Sequence, residues 1–238
     1  MRPSAIAALS VGLLLSASTQ SWAQDHIYNL NGTYADANGG PSLAAIGGTL
    51  GANGFSFGFN EGLSLTGVFG SSYTVAMRFR FDDVTGYRRI IDFQNRTSDN
   101  GPYVLDGAAN FYNIATGPTA PYAPNQMGLT ILTRTQTGLF TAYFGGAMQY
   151  QFADNLSDGV PAGNTVNFFQ DDLAFANEAS AGFVDYIGTW DRALSSREVA
   201  AFVPGGPVTT TPEPSSMLLV GVGILFAGIA RNRKRINV

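Results

Sequence analysis

The chain of 238 residues has no cysteine, one histidine (His26) and one lysine (Lys234). Without cysteine there are no disulfides, thiolate metal sites or cysteine nucleophiles, so the apolar core alone must hold the fold together. No Gly-x-Ser-x-Gly motif occurs, and we interpret the lone His26 as structural rather than catalytic. These absences argue against hydrolases built on a serine or cysteine nucleophile.

Long apolar runs are also scarce, and the first lies near the N-terminus. Residues 5–15 are mostly apolar, one cation precedes them, and the small residues Ser21 and Ala23 follow. This order is typical of a secretory signal peptide, whereas a permanent anchor would need a longer run. We therefore predict a signal peptide over residues 1–23, cleavage between Ala23 and Gln24, and export of the remainder.

Residues 24–203 are predicted to form one domain, and this part of the chain is poor in positive charge. It holds eight arginines, no lysine and 16 acidic residues, which gives a net charge of −8. Such a surface repels nucleic acid and anionic lipid, so no nucleic-acid partner is expected. The same surface is compatible with Ca²⁺ and with neutral glycans.

What the domain does contain is a series of short segments rich in aromatic and β-branched residues. Apolar residues occupy every second position of residues 73–81, so one face of this strand should meet the core and the other should meet solvent. A Gly-containing connection leads to residues 88–93 and predicts a hairpin. Further strands are predicted at 55–59, 63–65, 103–105, 110–114, 128–134, 139–144, 148–152, 165–169 and 181–190, with a turn at Gly145–Gly146. This spacing predicts an all-β sandwich or barrel.

One short helix interrupts the β pattern. Ser195 with Glu198 three residues later is the signature of a capping box, and Val199 and Phe202 supply an apolar side. Residues 204–211, rich in Pro, Gly and Thr, follow the helix and are predicted to form an extended linker.

The closing stretch AGFVDYIGTWDRALSSREVAAF (181–202) resembles the C-terminal end of laminin-G-like domains of the concanavalin A-like fold. The matching residues are Gly182, Phe183, Asp185, Tyr186, Trp190, Arg192, Ala193, Leu194, Ser195, Glu198 and Val199. The resemblance extends less specifically to the earlier strands. It implies an all-β, two-sheet antiparallel jelly-roll sandwich with one short C-terminal helix. Such folds include glucanases, lectins and adhesive modules, so function must be argued from sites.

The glucanases of this fold carry their two carboxylates on one strand as Glu-x-Asp-x-x-Glu. A retaining glycosidase needs these groups about 5–5.5 Å apart. The domain has only Glu61, Glu178 and Glu198, none of them in such a pattern, and Glu198 is accounted for as a helix cap. We therefore predict that the protein is not an enzyme.

Two candidate ligand sites remain. Asp171 and Asp172 end a predicted strand, where laminin-G-like modules often bind Ca²⁺ through six to eight oxygens. Residues 82–83 and 95–100 offer further oxygens, and the alternative is that acidic pairs only shape and solubilise turns. The second site is a carbohydrate platform of three tyrosines, since sugar faces stack on aromatic rings; the alternative is that these side chains only cover sheet edges. The tyrosines are Tyr103, Tyr112 and Tyr122.

A second apolar run, Met217–Ala230, lies close to the end of the chain. Its 14 residues would span roughly 21 Å as a helix, less than a bilayer core of about 30 Å. It is preceded by Pro212, Glu213 and Pro214 and followed by Arg231, Arg233, Lys234 and Arg235. The tripeptide, the short apolar helix and the basic end closely resemble the PEP-CTERM sorting signal in content and order.

This resemblance implies a sorting signal over residues 212–235 with a transmembrane helix at 217–230. The helix would hold the exported protein in the inner membrane temporarily, with its cations on the cytoplasmic side. An exosortase would then act near the tripeptide; an ordinary single-span anchor is the alternative. The signal also implies a Gram-negative bacterium that exports exopolysaccharide. We expect a cell-surface or biofilm-matrix protein that binds glycan or protein, and the alternatives are an adhesive protein without a specific ligand and a polysaccharide-active enzyme.

Overall fold

The computed structural model describes residues 24–174, 176–202 and 204, all within a compact unit formed by residues 23–206. These residues contain one α-helix, α1 (Ser196–Ala201), and one 3-10 turn at Ala162–Asn164. Their strands are β1 (His26–Tyr28), β2 (Ala44–Ile46), β3 (Thr49–Gly51), β4 (Gly54–Phe57), β5 (Gly62–Thr66), β6 (Tyr73–Phe81), β7 (Tyr87–Arg89), β8 (Ile91–Asp92), β9 (Pro102–Leu105), β10 (Ala108–Phe111), β11 (Ala115–Thr116), β12 (Gly128–Arg134), β13 (Leu139–Phe144), β14 (Ala147–Ala153), β15 (Thr165–Phe168) and β16 (Gly182–Trp190).

The strands form one large and two small sheets. The eight-stranded sheet has the order β14-β13-β12-β6-β16-β4-β3, with β1 paired to β16. The four-stranded sheets have the orders β11-β10-β9-β7 and β2-β5-β15-β8. The pairings within the described residues are antiparallel. Side chains from all three sheets share one apolar core, so the predicted all-β antiparallel sandwich with one short helix is confirmed.

The two faces of β6 explain how the large sheet is covered. Val75, Met77 and Phe79 enter the main core, as their alternation predicts. The opposite face was expected to meet solvent, but Thr74 and Ala76 are also buried. Leu194 and Val199, before and within α1, pack with Ala76 in a second apolar cluster, so the helix covers this part of the sheet.

The predicted strand at 88–93 is wrong in two respects. The segment divides into β7 and β8, which belong to different small sheets, and Ile90 between them is buried. No hairpin joins it to β6, since β6 pairs with β12 and β16 while β7 pairs with β9. The break lets Arg89 and Asp92 both point inward, which strict alternation does not anticipate.

Two local predictions are confirmed. Gly145 and Gly146 connect β13 and β14 with φ of +57° and +83°, values that favour glycine. The Ser195 side chain accepts a hydrogen bond from the Glu198 amide, and the Glu198 carboxylate accepts one from the Ser195 amide. This capping box fixes the start of α1.

The predicted signal peptide and sorting helix fall outside the described residues. No helix of the described residues is long and apolar enough to cross a membrane. Of the predicted cleavage pair, Ala23 lies outside the described residues. Gln24 begins them, and its side-chain amide donates to the Tyr186 hydroxyl.

Candidate functional site

Three aspartates meet where the loop after β15 approaches the loop between β8 and β9. Asp171 and Asp172 follow β15, and Asp99 comes from the other loop. One carboxylate oxygen of each lies within 4.8 Å of the others. Asp171 and Asp172 are fully buried, while the Asp99 side chain is 22% exposed. This acidic trio could hold a metal ion.

The other acidic pair predicted to supply oxygens does not join this trio. Asp82 pairs with Arg80, and Asp83 pairs with Arg88. Both aspartates are exposed, and each has its own arginine partner.

A buried arginine lies among the three aspartates. Arg89 Nε is 3.4 Å from Asp171 Oδ1, and Arg89 Nη2 is 3.4 Å from Asp172 Oδ2 and 3.5 Å from Asp99 Oδ1. Charge-assisted hydrogen bonds of this kind are normally about 2.7–2.9 Å long, so one cation is shared loosely by three anions. Arg89 Nη1 is buried without a hydrogen-bond partner, and a Cβ on Gly101 would lie 2.6 Å from it. Glycine at position 101 therefore makes room for the guanidinium.

Backbone amides hold the carboxylates in place. Asp171 Oδ2 accepts a hydrogen bond from the Glu178 amide at 2.8 Å, and Asp172 Oδ1 accepts one from the Ala174 amide at 2.6 Å. Asn60 Oδ1 accepts a hydrogen bond from the Asp171 amide at 3.0 Å. The loop after β15 is thus fixed with one carboxylate oxygen of each aspartate turned toward Arg89.

Glu178 adds a fourth acid to the site. Burial, together with the charges of Asp99 and Asp171, raises the pKa of its carboxyl to about 7. Its Oε2 atom is buried without a hydrogen-bond partner. Burial also raises the pKa of Asp171. Loss of water on burial is the largest cause of both shifts, and for Glu178 the neighbouring charges of Asp99 and Asp171 outweigh the opposing effect of Arg89.

Tyrosine rings form one side of the same site. Tyr103 is buried; its hydroxyl donates to Asp99 Oδ1 at 2.7 Å, and its ring lies 4.0 Å from the Arg89 guanidinium carbon. Tyr112 is half-buried and packs edge-on against Tyr87, with ring centroids 5.5 Å apart. The charge of Asp99 raises the pKa of Tyr112. We call Arg89, Asp99, Asp171, Asp172, Glu178 and the three tyrosines 87, 103 and 112 the Arg89 cluster.

The structure brings together most of the side chains that the sequence proposed separately. The metal candidates Asp171 and Asp172 and the platform candidates Tyr103 and Tyr112 lie in this one cluster. Tyr122 packs elsewhere, 4.5 Å from Phe144 between ring centroids, with its hydroxyl bonded to Thr130. The covered ring of Tyr103 offers no face to a ligand, which leaves Tyr112 with Tyr87 as the accessible aromatic surface.

The side-chain atoms of the cluster are the type of ligand that a hard cation prefers. Every candidate donor is a carboxylate or hydroxyl oxygen, the type that Ca²⁺ prefers. Arg89 competes for the same oxygens, because its guanidinium already lies 3.4–3.5 Å from each of the three aspartates. A bound cation would therefore have to share the negative charge of Asp99, Asp171, Asp172 and Glu178 with Arg89.

The comparison with protein families identifies the C-terminal segment. Residues 210–234 match the PEP-CTERM protein-sorting motif. The match contains Pro212, Glu213 and Pro214, the apolar run 217–230 and most of the basic end, so the sequence-based identification of this signal is confirmed. These residues lie outside the described part of the structure. No curated protein matches the chain.

Solved structures with the same fold include domains of carbohydrate-active enzymes and of a toxin. Domain 4 of AbnA, an arabinanase of Geobacillus stearothermophilus solved with arabinotriose, is 15% identical with a TM-score of 0.53; the match covers 75% of this chain and 97% of that one. The botulinum neurotoxin serotype D binding domain is 12% identical with a TM-score of 0.55, over 76% and 51% of the two chains. A Trypanosoma rangeli sialidase in complex with sialic acid is 12% identical with a TM-score of 0.59, over 73% and 31%.

These matches show the fold alone, because all of the identities are low. This chain spans about half of the toxin domain and about a third of the sialidase, but nearly all of the arabinanase domain. The matches support a β-sandwich fold.

Proposed function

We propose that the protein is an exported surface or biofilm-matrix component whose sandwich binds carbohydrate without catalysis. The sorting motif at 210–234 supports export, temporary anchoring in the inner membrane and processing by an exosortase. Processing would remove the motif and deliver the domain to the outside of the cell, where exopolysaccharide and surface glycans are the available polymers.

The observation that carries the binding proposal is the position of Tyr112 and Tyr87 beside the acids of the Arg89 cluster. Half-buried rings can stack on a sugar face, and carboxylate oxygens accept hydrogen bonds from sugar hydroxyls. Asp99 is partly exposed and its charge acts on Tyr112, so both kinds of contact lie within reach of one ligand.

Ca²⁺ is the cation that we propose for the acidic trio. It would supply charge to offset the four acids and could share its remaining coordination positions with ligand hydroxyls. Asp171 and Asp172 would hold it through the oxygens now turned toward Arg89. The Ca²⁺ proposal can fail without the glycan-binding proposal, because a sugar could also bind to Tyr112 and Asp99 alone.

The test is calorimetry with extracellular polysaccharide from the source strain. We would use the full chain in a detergent without a sugar headgroup, first with Ca²⁺ and then with chelator. Saturable heat that is lost in Asp171→Asn/Asp172→Asn, but retained in the matched pair Asp82→Asn/Asp83→Asn, is expected. Binding heat that persists in chelator would reject the role of Ca²⁺ and retain the proposed glycan-binding site. No heat in either buffer would overturn the binding proposal in favour of an adhesive protein without a glycan ligand.

One observation favours a second candidate, a polysaccharide-active enzyme. With a pKa of about 7, Glu178 is partly protonated at neutral pH beside Asp99 and Asp171, and an acid next to a carboxylate is what glycoside hydrolysis requires. Release of reducing ends from the same polysaccharide, abolished by Glu178→Gln, would establish this function. Unchanged polysaccharide after prolonged incubation would reject it.

A further inference from the structure

A separate polar cavity of about 330 Å³ opens on the outer face of the large sheet. Its polar lining comes from Asn29, Asn31, Asn53, Arg78 and Asp185, with Tyr186 beside them. None of these residues belongs to the Arg89 cluster. The volume lies at the lower end of the range for small-molecule pockets, roughly 300–1,000 Å³.

A β-bulge in the middle of the large sheet forms one wall of this cavity. Between Val184 and Tyr186 the register of β16 against β6 shifts, and Asp185 is the extra residue. Val184 lies in the main core, whereas Tyr186 lies in the cluster beneath α1. The bulge therefore turns Asp185 and Tyr186 toward the same cavity, which regular alternation would prevent.

The charged groups at this wall neutralise each other. Arg78 Nε donates to Asp185 Oδ1 and Arg78 Nη2 to Asp185 Oδ2, both at 2.7 Å. The two side chains remain 44% and 18% exposed. This bidentate pair leaves Arg78 Nη1 and the outer lone pairs of Asp185 for a ligand, with no net charge.

The other polar groups are amides that the protein itself does not use. Among the described residues, the side chains of Asn29, Asn31 and Asn53 make no hydrogen bond, and all three are exposed. Each amide offers two N–H donors and one carbonyl acceptor. Three such groups converge on one cavity from the loop after β1 and the turn between β3 and β4.

We propose that this cavity is a second saccharide-binding subsite, for a short neutral stretch of a glycan chain. A neutral sugar needs closely spaced donors and acceptors, which the amides and the Arg78–Asp185 pair present together. An anionic ligand is disfavoured, since the wall has no net positive charge and the domain carries a net charge of −8. The proposal rests on the proposed function for its ligand class, but it names a different surface.

The test measures the number of binding sites on the full chain for short neutral oligosaccharides cut from the source polysaccharide. The wild type should show two binding sites by calorimetry. Asn29→Ala/Asn31→Ala/Asn53→Ala should lose one, or weaken it by about tenfold or more, as the loss of one or two hydrogen bonds requires. Tyr112→Ala should lose the other. Asn155 is exposed, and its side chain makes no hydrogen bond to the described residues, so Asn155→Ala is the matched control and should bind like the wild type.

A variant that fills the cavity gives an independent test of the second subsite. Asn53→Trp places a bulky ring in the cavity from an exposed turn, so it should fold normally and lose the same site as the triple variant. If the triple variant and Asn53→Trp both bind like the wild type while Tyr112→Ala does not bind, the second subsite is overturned and the proposed function stands. No binding by the wild type would instead overturn both.

Discussion

Two buried arginines with aspartate partners occur in this sandwich, and they differ in how fully their charges are satisfied. Arg134 on β12 donates from Nε to Asp154 Oδ2 at 2.7 Å and from Nη1 to the Ser71 carbonyl. Asp154 also accepts from the backbone amides of Asp158 and Gly159. Arg89 instead lies 3.4–3.5 Å from three carboxylates, and its Nη1 atom has no partner.

The difference separates a structural ion pair from a site with capacity to bind. Around Arg134 one cation meets one anion with short bonds, so a ligand has nothing to add. Around Arg89 four acids meet one cation, the contacts are long, and the pKa values of Asp171 and Glu178 are raised. Surplus negative charge and loosely held donors are what a cation or a hydroxyl-rich ligand can stabilise.

The largest expected effect comes from breaking the satisfied pair. Asp154→Asn leaves Arg134 buried without a counter-charge, and we expect a loss of about 3–5 kcal/mol in the free energy of unfolding. Denaturant unfolding followed by tryptophan fluorescence measures it. The neighbouring Asp158→Asn is the control, because that side chain is only half-buried. A loss below that of the control would contradict the structural assignment of the Arg134 pair.

Removing the other arginine should cost less and depend on pH. Arg89 lowers the pKa of both Asp171 and Glu178, so without it both carboxyls titrate at higher pH in the folded protein. Raised folded-state pKa values make stability fall as pH rises. We expect Arg89→Met to lose about 2 kcal/mol at pH 8 and much less near pH 5.

Thermal melts of this variant at pH 5, 7 and 8, with and without Ca²⁺, test the prediction. Arg134→Met should recover less at low pH, because one aspartate faces that arginine whereas three face Arg89. If Arg89→Met is equally destabilised at all three pH values, the carboxylates around Arg89 do not carry the surplus charge inferred here. Added Ca²⁺ should raise the melting temperature of Arg89→Met more than that of the wild type.

A smaller effect isolates Glu178. Its pKa is about 7 in the folded protein and 4.5 without the fold, so the folded state holds the proton more tightly. The carboxyl therefore weakens the fold progressively as pH rises from about 4.5 to about 7, and its effect is constant at higher pH. Glu178→Gln should flatten the melting-temperature profile in this window and be slightly more stable than the wild type at pH 8. An unchanged profile would show that another group titrates there.

The sequence predicted the architecture well because the strands follow strong local patterns. The paired glycines at 145–146 and the Ser195–Glu198 cap each have one physical explanation, and both occur as expected. The acidic pair 171–172 lies in the loop just after β15, close to the predicted strand end. These features depend on nearest neighbours along the chain, which a single sequence displays directly.

The candidate site could be predicted only in part because it depends on contacts between distant segments. Alternation along residues 88–93 does not show that Arg89 and Asp92 both turn inward, since the break at Ile90 follows from pairing with two different sheets. Asp99 and Glu178 gain their roles only when their loops meet. The bulge at Asp185, which builds the outer cavity, has no signature in the strand pattern.

The variant with the smallest expected change in stability tests whether the Arg89 cluster, unlike the Arg134 pair, binds a ligand. Tyr112 is half-buried at the edge of the Arg89 cluster, so Tyr112→Ala should alter the free energy of unfolding by only about 0.5 kcal/mol. Its effect on glycan binding at the cluster should nevertheless be large, because the ring face that would stack on the sugar is lost while the buried charges stay in place. Tyr34→Ala, at a half-buried ring that packs on Phe55, controls for loss of an aromatic side chain elsewhere. If Tyr112→Ala binds as the wild type does while Asp171→Asn/Asp172→Asn does not, the acids act without the aromatic surface, and the ligand contacts the carboxylates or their cation alone.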